Sequence, residues 1–221
     1  MTLKALIFDV DGTLAETEEA HRRAFNDTFA AAGLGWHWDH HTYLRLLKVT
    51  GGKERMRAWA VETGSGPRED IIPALHRAKS ARYAEILAMG GLKPRPGILR
   101  LVEEGRAAGL RLAVATTTSP GNVEALTRAI WRKPAAGIFD VIAAGDEVAR
   151  KKPDPAVYLL ALRRLNLPAT EALAFEDSRN GVLAARAAGL AVVAAPSLFT
   201  AGDDLSAADA VLPDLDSFRL S

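Results

Sequence analysis

The chain has 221 residues, 48 % of them hydrophobic, which suits one large domain or a core with a smaller insert and argues against disorder. Its 28 lysines and arginines nearly balance 27 acidic residues, so no global field favours nucleic acid or a membrane surface, and an anionic ligand must be held by local charges. Having no cysteine, it can form no disulfide, thiolate nucleophile or cysteine-bound metal; with no secretory pattern and no apolar run near the ~20 residues of a membrane span, a soluble cytoplasmic protein is expected.

Residues 3–8 form an apolar run that reads as a first strand. Residues 16–32 read as a helix, with Phe25, Phe29 and Ala32 on one face and Gly33 as its stop. His37, His40 and His41 lie beside Trp36 and Trp38 and read as a polar loop with aromatic packing, a histidine metal site being the lesser alternative. Residues 67–89 give another helix, with Ile71, Leu75 and Ala78 on a face. From there strands and helices alternate: helix 96–108, strand 110–115, helix 120–131, strand 139–143, helix 155–165, strand 172–175, helix 178–188 and strand 191–195. Short, almost wholly apolar runs fit strands buried on both faces. Alternation of this kind predicts an α/β fold with a doubly wound, mostly parallel, Rossmann-like sheet.

The interval between the first two strands is several times what one crossover helix needs. Residues 16–93 therefore read as a helical cap domain inserted into a catalytic core of residues 1–15 and 94–221, rejoining through Lys93-Pro94-Arg95-Pro96-Gly97. An insert placed after the first strand sits over the carboxyl ends of the sheet, where such folds bind ligands, and is a candidate lid.

Four strand ends carry chemistry-bearing residues. Asp9-Val10-Asp11-Gly12-Thr13 follows the first strand, and an unpaired buried carboxylate there would be costly. Asp9 could attack phosphorus with a magnesium ion shielding the repulsion, while Asp11 exchanges protons with the leaving oxygen and the attacking water. Asp-Gly is also common in solvated turns, so the pair alone leaves both readings open. Thr116, Thr117 and Thr118 end the second strand before a helix near Pro120, as a phosphate cradle or an ordinary helix cap would. Asn122 in that helix joins the candidate substrate set. Lys152, in Lys151-Lys152-Pro153-Asp154-Pro155, can neutralise a phosphoryl oxygen, although most such lysine pairs are solvated loops. Glu176 and Asp177 end the fourth strand and offer the oxygens that magnesium prefers, with helix capping as the alternative for Asp177. Their ordered occurrence at successive strand ends is far more specific than any one of them.

This order of motifs resembles the haloacid dehalogenase superfamily over essentially the whole core, through DVDGT at 9–13, AVATTTS at 113–119, KKPDP at 151–155 and FEDSRNG at 175–181. The resemblance implies that Asp9 is nucleophile and metal ligand and that Asp11 is acid/base, ligating through its backbone carbonyl. It implies further that Thr116 and Lys152 hold the phosphoryl group and that Glu176 and Asp177 complete a Mg2+ site. The superfamily's dehalogenases lack the second aspartate, so its presence points to phosphoryl transfer. The insert resembles the cap of the beta-phosphoglucomutase-like branch and, within it, the CbbY group of sugar bisphosphatases, through AETEEAHRRAF at 15–25, TGGKERM at 50–56, HRAK at 76–79 and RPG at 95–97. That likeness implies xylulose-1,5-bisphosphate as substrate, in the carbohydrate metabolism of autotrophs.

A bisphosphate needs a second cationic pocket. Gly51, Gly52, Lys53 and Arg55 offer exposed amides and two cations at a helix start, and Lys79 can reach the sugar or distal phosphate. Glu18 and Tyr43 are candidates for sugar hydroxyls, and His21 sits where related mutases carry a histidine near the acid/base aspartate. For each of these cap residues the alternative is a solvated helix face. The rival functions are a hexose phosphate mutase, a phosphoglycolate phosphatase and, from another class, a catalytically silent binding protein. A small-molecule sugar phosphate or bisphosphate is the expected partner, with no nucleic acid, no membrane and a monomer as the default.

Overall fold

The fold comes from a computed structural model that describes residues 2–220. Strand β1 (Ala5–Phe8) is wholly buried, with Ala5 and Ile7 on one face of the sheet and Leu6 and Phe8 on the other. It lies at the centre, hydrogen-bonded to β2 (Arg111–Thr116) on one side and β4 (Ala172–Glu176) on the other. β3 (Val141–Ala144) flanks β2, and β5 (Ala191–Ala194) and β6 (Ala210–Val211) extend beyond β4, giving the order β3-β2-β1-β4-β5-β6 with every pairing parallel.

Helices cover both faces, because a parallel sheet with apolar residues on each side must be buried twice. Four helices precede β2: α1 (Glu18–Ala31), α2 (His40–Leu46), α3 (Gly52–Thr63) and α4 (Ile72–Ala88). The others are α5 (Ile98–Ala107), α6 (Pro120–Trp131), α7 (Ala156–Leu165) and α8 (Arg179–Ala187). Leu101 and Val102 of α5 and Val123 and Leu126 of α6 pack with Leu6, Phe8, Leu112 and Val114. Tyr158 and Leu162 of α7 and Val182 and Ala185 of α8 pack with Ala5, Ile7, Ala113 and Ala115 on the opposite face. The fold is therefore an α/β doubly wound sheet, and its parallel character is complete rather than partial.

Helices α1 to α4 have an aromatic cluster of their own, built on Phe25, Phe29, Trp38, Tyr43 and Met56. They are not a detached lobe, since Ala24, Tyr83 and Leu87 join the core cluster on the α5/α6 face. The chain leaves and re-enters the sheet region at one place, where Ala15 and Pro94 form an isolated antiparallel bridge.

Two elements depart from the sequence reading. His40 and His41 lie in the first turn of α2 rather than in a loop, because Asp39 caps that helix by accepting from the Thr42 amide (2.7 Å). Trp38 is wholly buried, its backbone amide donating to Asn26 Oδ1 and its carbonyl accepting from Asn26 Nδ2. β6 is a two-residue strand, and the three apolar residues 210–212 are too short a run to announce it. Among the described residues, no helix is long and apolar enough to cross a membrane.

Gly97, the residue before α5, has φ +86°, and a Cβ there would lie 2.3 Å from the Leu215 backbone. Gly97→Ala should therefore destabilise the protein by about 2–3 kcal/mol, seen as a lower denaturation midpoint at unchanged slope.

Candidate active site

The carboxyl ends of β2, β1 and β4 lie side by side at the point where the strand order reverses, the place where ligands bind in doubly wound sheets. Asp9 follows β1 and is tied to β4 by its amide, which donates to the Phe175 carbonyl (3.0 Å). Thr116 ends β2, Glu176 ends β4, and Lys152 arrives on the loop between β3 and α7. These ends and the helices α1 to α4 enclose a cavity of about 660 Å3.

Asp9, Glu176 and Asp177 are buried, and each offers an oxygen within 4.8 Å of the others'. The Lys152 ammonium donates to Asp9 Oδ1 and to Glu176 Oε1, both at 2.6 Å. Glu176 is fully enclosed behind the other two and also accepts from the Tyr158 hydroxyl (2.6 Å) and the Asp177 amide (3.2 Å), while Asp9 and Asp177 face the cavity. Three carboxylates against one ammonium leave excess negative charge in a dry place. Burial, with Glu176 and Asp177 adding repulsion, pushes Asp9 well above the usual carboxylate range against the pull of Lys152. Burial and Glu176 push Asp177 up to about 7. Burial alone would lower Lys152, yet Asp9 and Glu176 hold it above an ordinary lysine. A hard divalent cation coordinated by oxygen fits this donor set, since it supplies the missing positive charge.

Asp11 sits on the opposite side of the turn, at α1. Its Oδ1 accepts from Thr17 Oγ1 (2.6 Å) and lies 2.9 Å from His21 Nε2. Burial would raise it, but His21 and Thr17 outweigh burial and hold it below the usual carboxylate range. His21 Nδ1 is in turn 2.6 Å from Lys79 Nζ, and the imidazole stacks on Tyr83 at 3.9 Å. Lys79, with Asp11 and Glu18 as the nearest opposing charges, is lowered by burial to about 7.

Sixteen residues were singled out from the sequence, and thirteen line the cavity: Asp9, Asp11, Glu18, His21, Gly51, Gly52, Arg55, Lys79, Thr116, Thr117, Asn122, Lys152 and Asp177. Glu176 lies behind them, as described. Lys53 is a correction. It turns away from the cavity and pairs with Asp146, which also accepts from Lys151 (2.9 Å), so it joins α3 to the loop after β3. Tyr43 is another, because its hydroxyl donates to Glu18 Oε2 (2.6 Å) and accepts from Arg55 Nη1 (3.0 Å), behind the wall. Ser119 caps α6 and Ser178 caps α8, so neither Thr118 nor Asp177 is occupied as a cap. No histidine of the Trp36–His41 stretch belongs to a group of metal-ligating side chains among the described residues.

Sequence reasoning missed His76, which shares a helix face with Lys79 and lines the cavity, and Asn180, which donates to Thr50 Oγ1 (3.0 Å) across it. His76 had a readable signal, its i,i+3 spacing from Lys79. Tyr158 had none, because it acts only through Glu176.

The haloacid dehalogenase-like hydrolase family matches residues 3–189 of this chain. The chain belongs to that family. It is a hydrolase, and it is similar to the protein CbbY of Rhodobacter capsulatus, 60 % identical over 215 residues that cover 97 % of this chain and 95 % of the relative. A solved structure of CbbY from Rhodobacter sphaeroides in complex with phosphate superposes with a TM-score of 0.95 at 51 % identity, covering 98 % of this chain and 96 % of that one. A mutant of the same protein in complex with xylulose-1,5-bisphosphate gives 0.95 at 50 % identity with the same coverage.

The folded value of about 7 for Lys79 lies below its ordinary 10.5, so the folded state binds fewer protons between those values and stability from this group grows as pH rises through that window. Lys79→Met should thus raise the melting temperature by several degrees at pH 6 and by much less at pH 10, as scanning calorimetry of both proteins would show.

Proposed function

We propose that this protein is a magnesium-dependent phosphatase of phosphorylated sugars, with xylulose-1,5-bisphosphate as the preferred substrate and Asp9 as the covalent nucleophile. The observation that carries this reading is the cavity's two unlike poles. At one, Asp9 and Asp177 lie beside Lys152. At the other, Arg55 and Lys79 are buried cations with no carboxylate within 4.0 Å among the described residues. Buried, unpaired cations are costly unless an anion arrives, and a substrate with a phosphate at each end satisfies both poles at once. The likeness to CbbY, one form of which is solved with that bisphosphate, supports the same choice.

In this reading Asp9 and Asp177, with the Asp11 carbonyl, would hold the magnesium ion; Glu176, expected from the sequence to complete that site, has one oxygen taken by Lys152 and Tyr158 and serves it from behind. The ion would supply positive charge to the phosphoryl oxygens, letting one anion approach another. Lys152, the Thr116 hydroxyl and the amides after it hold the same oxygens in line with Asp9. Asp9 Oδ then forms a bond to phosphorus as the bond to the sugar oxygen breaks, and Asp11 delivers a proton to that oxygen. Asp11 is held ionised in the free protein, so its proton must arrive with substrate. The hydrogen-bonded chain from Lys79 through His21 to Asp11 offers a path. Asp11 next takes a proton from water, which attacks phosphorus, frees inorganic phosphate and restores the Asp9 carboxylate.

Residues 16–93 act as a cap in this scheme. Lys53 to Asp146, Asn180 to Thr50 and the ring contacts of Phe199 with His40 (4.9 Å, tilted) and Tyr43 (6.0 Å, edge-on) fasten it over the sheet.

Asp9→Asn should abolish phosphate release, and chelation should do the same with recovery on adding Mg2+; activity surviving either would sink the mechanism. A panel of sugar mono- and bisphosphates should rank xylulose-1,5-bisphosphate highest, whereas isomerised product from glucose 1-phosphate would mark a mutase. Arg55→Met should raise KM for the bisphosphate by about 10–100-fold, the worth of one or two charged hydrogen bonds, and change monophosphate turnover far less. Lys53→Met, outside the cavity, should shift the same KM by no more than about threefold.

A further inference from the structure

Arg95 follows Pro94, which bridges to Ala15, and lies outside the cavity with its side chain 10 % exposed. Its Nη1 donates to the carbonyls of Gly12 and Ala195 (the latter at 2.8 Å), and Nη2 donates to the Pro196 carbonyl (2.6 Å). Nε lies 3.3 Å from Glu16 Oε1, and the Arg95 backbone amide donates to the Leu14 carbonyl (2.9 Å). One planar group thus joins the turn after β1 to the loop after β5.

Both segments hold Asp177. Thr200 Oγ1 donates to Asp177 Oδ2 (3.0 Å), and the Ser197 amide donates to Thr200 Oγ1 (2.8 Å). On the other side Thr13 Oγ1 donates to Asp177 Oδ1 (3.4 Å). Gly12 has φ +84°, and a Cβ there would lie 2.2 Å from Asp177 Oδ2, so the turn and the carboxylate meet without slack. We infer that Arg95 is a positioning residue for the metal site: its fork sets the distance between the Asp11–Gly12 backbone and Asp177, the two sides from which the ion would be held. A lysine, a point charge without the fork, cannot span the same three carbonyls. The inference rests on the magnesium reading given above.

A purely structural clamp is available for comparison. Arg100 of α5 donates through Nη2 to the carbonyls of Leu215 (2.9 Å), Asp216 (3.0 Å) and Phe218 (2.7 Å), and none of these residues lines the cavity. Calorimetric titration of Mg2+ into the full chain without substrate separates the roles. Arg95→Met should weaken Mg2+ binding by about 10–100-fold, the usual effect of losing a residue that orients ligands. Its kcat should fall, with KM for the sugar phosphate at saturating Mg2+ within about twofold of the wild type. Arg100→Met should lower the melting temperature and leave Mg2+ affinity within about twofold. Arg95→Lys, the milder change, should still weaken Mg2+ binding by about threefold or more, and it decides the matter if Arg95→Met does not fold. Unchanged Mg2+ affinity in the folded Arg95 variants, or an equal loss in Arg100→Met, would overturn the inference and leave the magnesium reading intact. A wild-type protein that binds no Mg2+ would instead overturn both.

Discussion

The repulsion among Asp9, Glu176 and Asp177 is the constraint on which the rest of the site depends. Two adjacent strand ends, those of β1 and β4, bring these carboxylates within 4.8 Å of one another in a place that water hardly reaches. Such a cluster is tolerable only with compensating positive charge. Lys152 supplies one charge from the loop between β3 and α7, and Tyr158 and the Asp177 amide take up what remains of Glu176. The β1–β2–β4 order is therefore as much a part of the chemistry as the side chains. Without the reversal of strand order at β1, neither Lys152 nor Thr116 would lie opposite Asp177.

The same reasoning explains the division between the two aspartates of one turn. Asp9 and Asp11 are two residues apart, yet burial among carboxylates raises one, while His21 and Thr17 hold the other down. The first environment belongs to the sheet and the second to α1. Chemistry that needs a nucleophile and a proton carrier side by side is met by giving each a different structural neighbour.

The five longer strands were legible because they are short, almost wholly apolar runs, and β1, β2 and β4 are closed by residues that face the cavity or support one that does. The site at the strand ends was legible for the same reason: a carboxylate, threonine or lysine at the end of an apolar strand has little else to do. The helical layer was less so. Lys53 and Arg55 look equivalent in sequence, but on a helix they are two positions apart and point to different sides, so one meets the core surface and the other the cavity. Tyr43 was expected beside the ligand and lies behind the wall, because its hydroxyl is consumed by Glu18 and Arg55. The short α2 was hidden because seven residues give little periodicity, and its cap, Asp39, sits among histidines and tryptophans that suggest a loop. Arg95 could not be assigned a role at all from sequence, since backbone carbonyls, its main partners, carry no residue identity.

The aromatic cluster of the helical layer gives the molecule an uneven optical character. Of its four tryptophans, Trp38 is buried in that cluster, Trp36 and Trp59 pack against it, and Trp131 lies on the sheet side beside Phe139. Intrinsic emission is therefore weighted towards α1 to α4, whereas circular dichroism samples every helix and strand. Melting curves recorded by the two methods would diverge if the helical layer loosened before the sheet, and coincide if the molecule came apart as one unit.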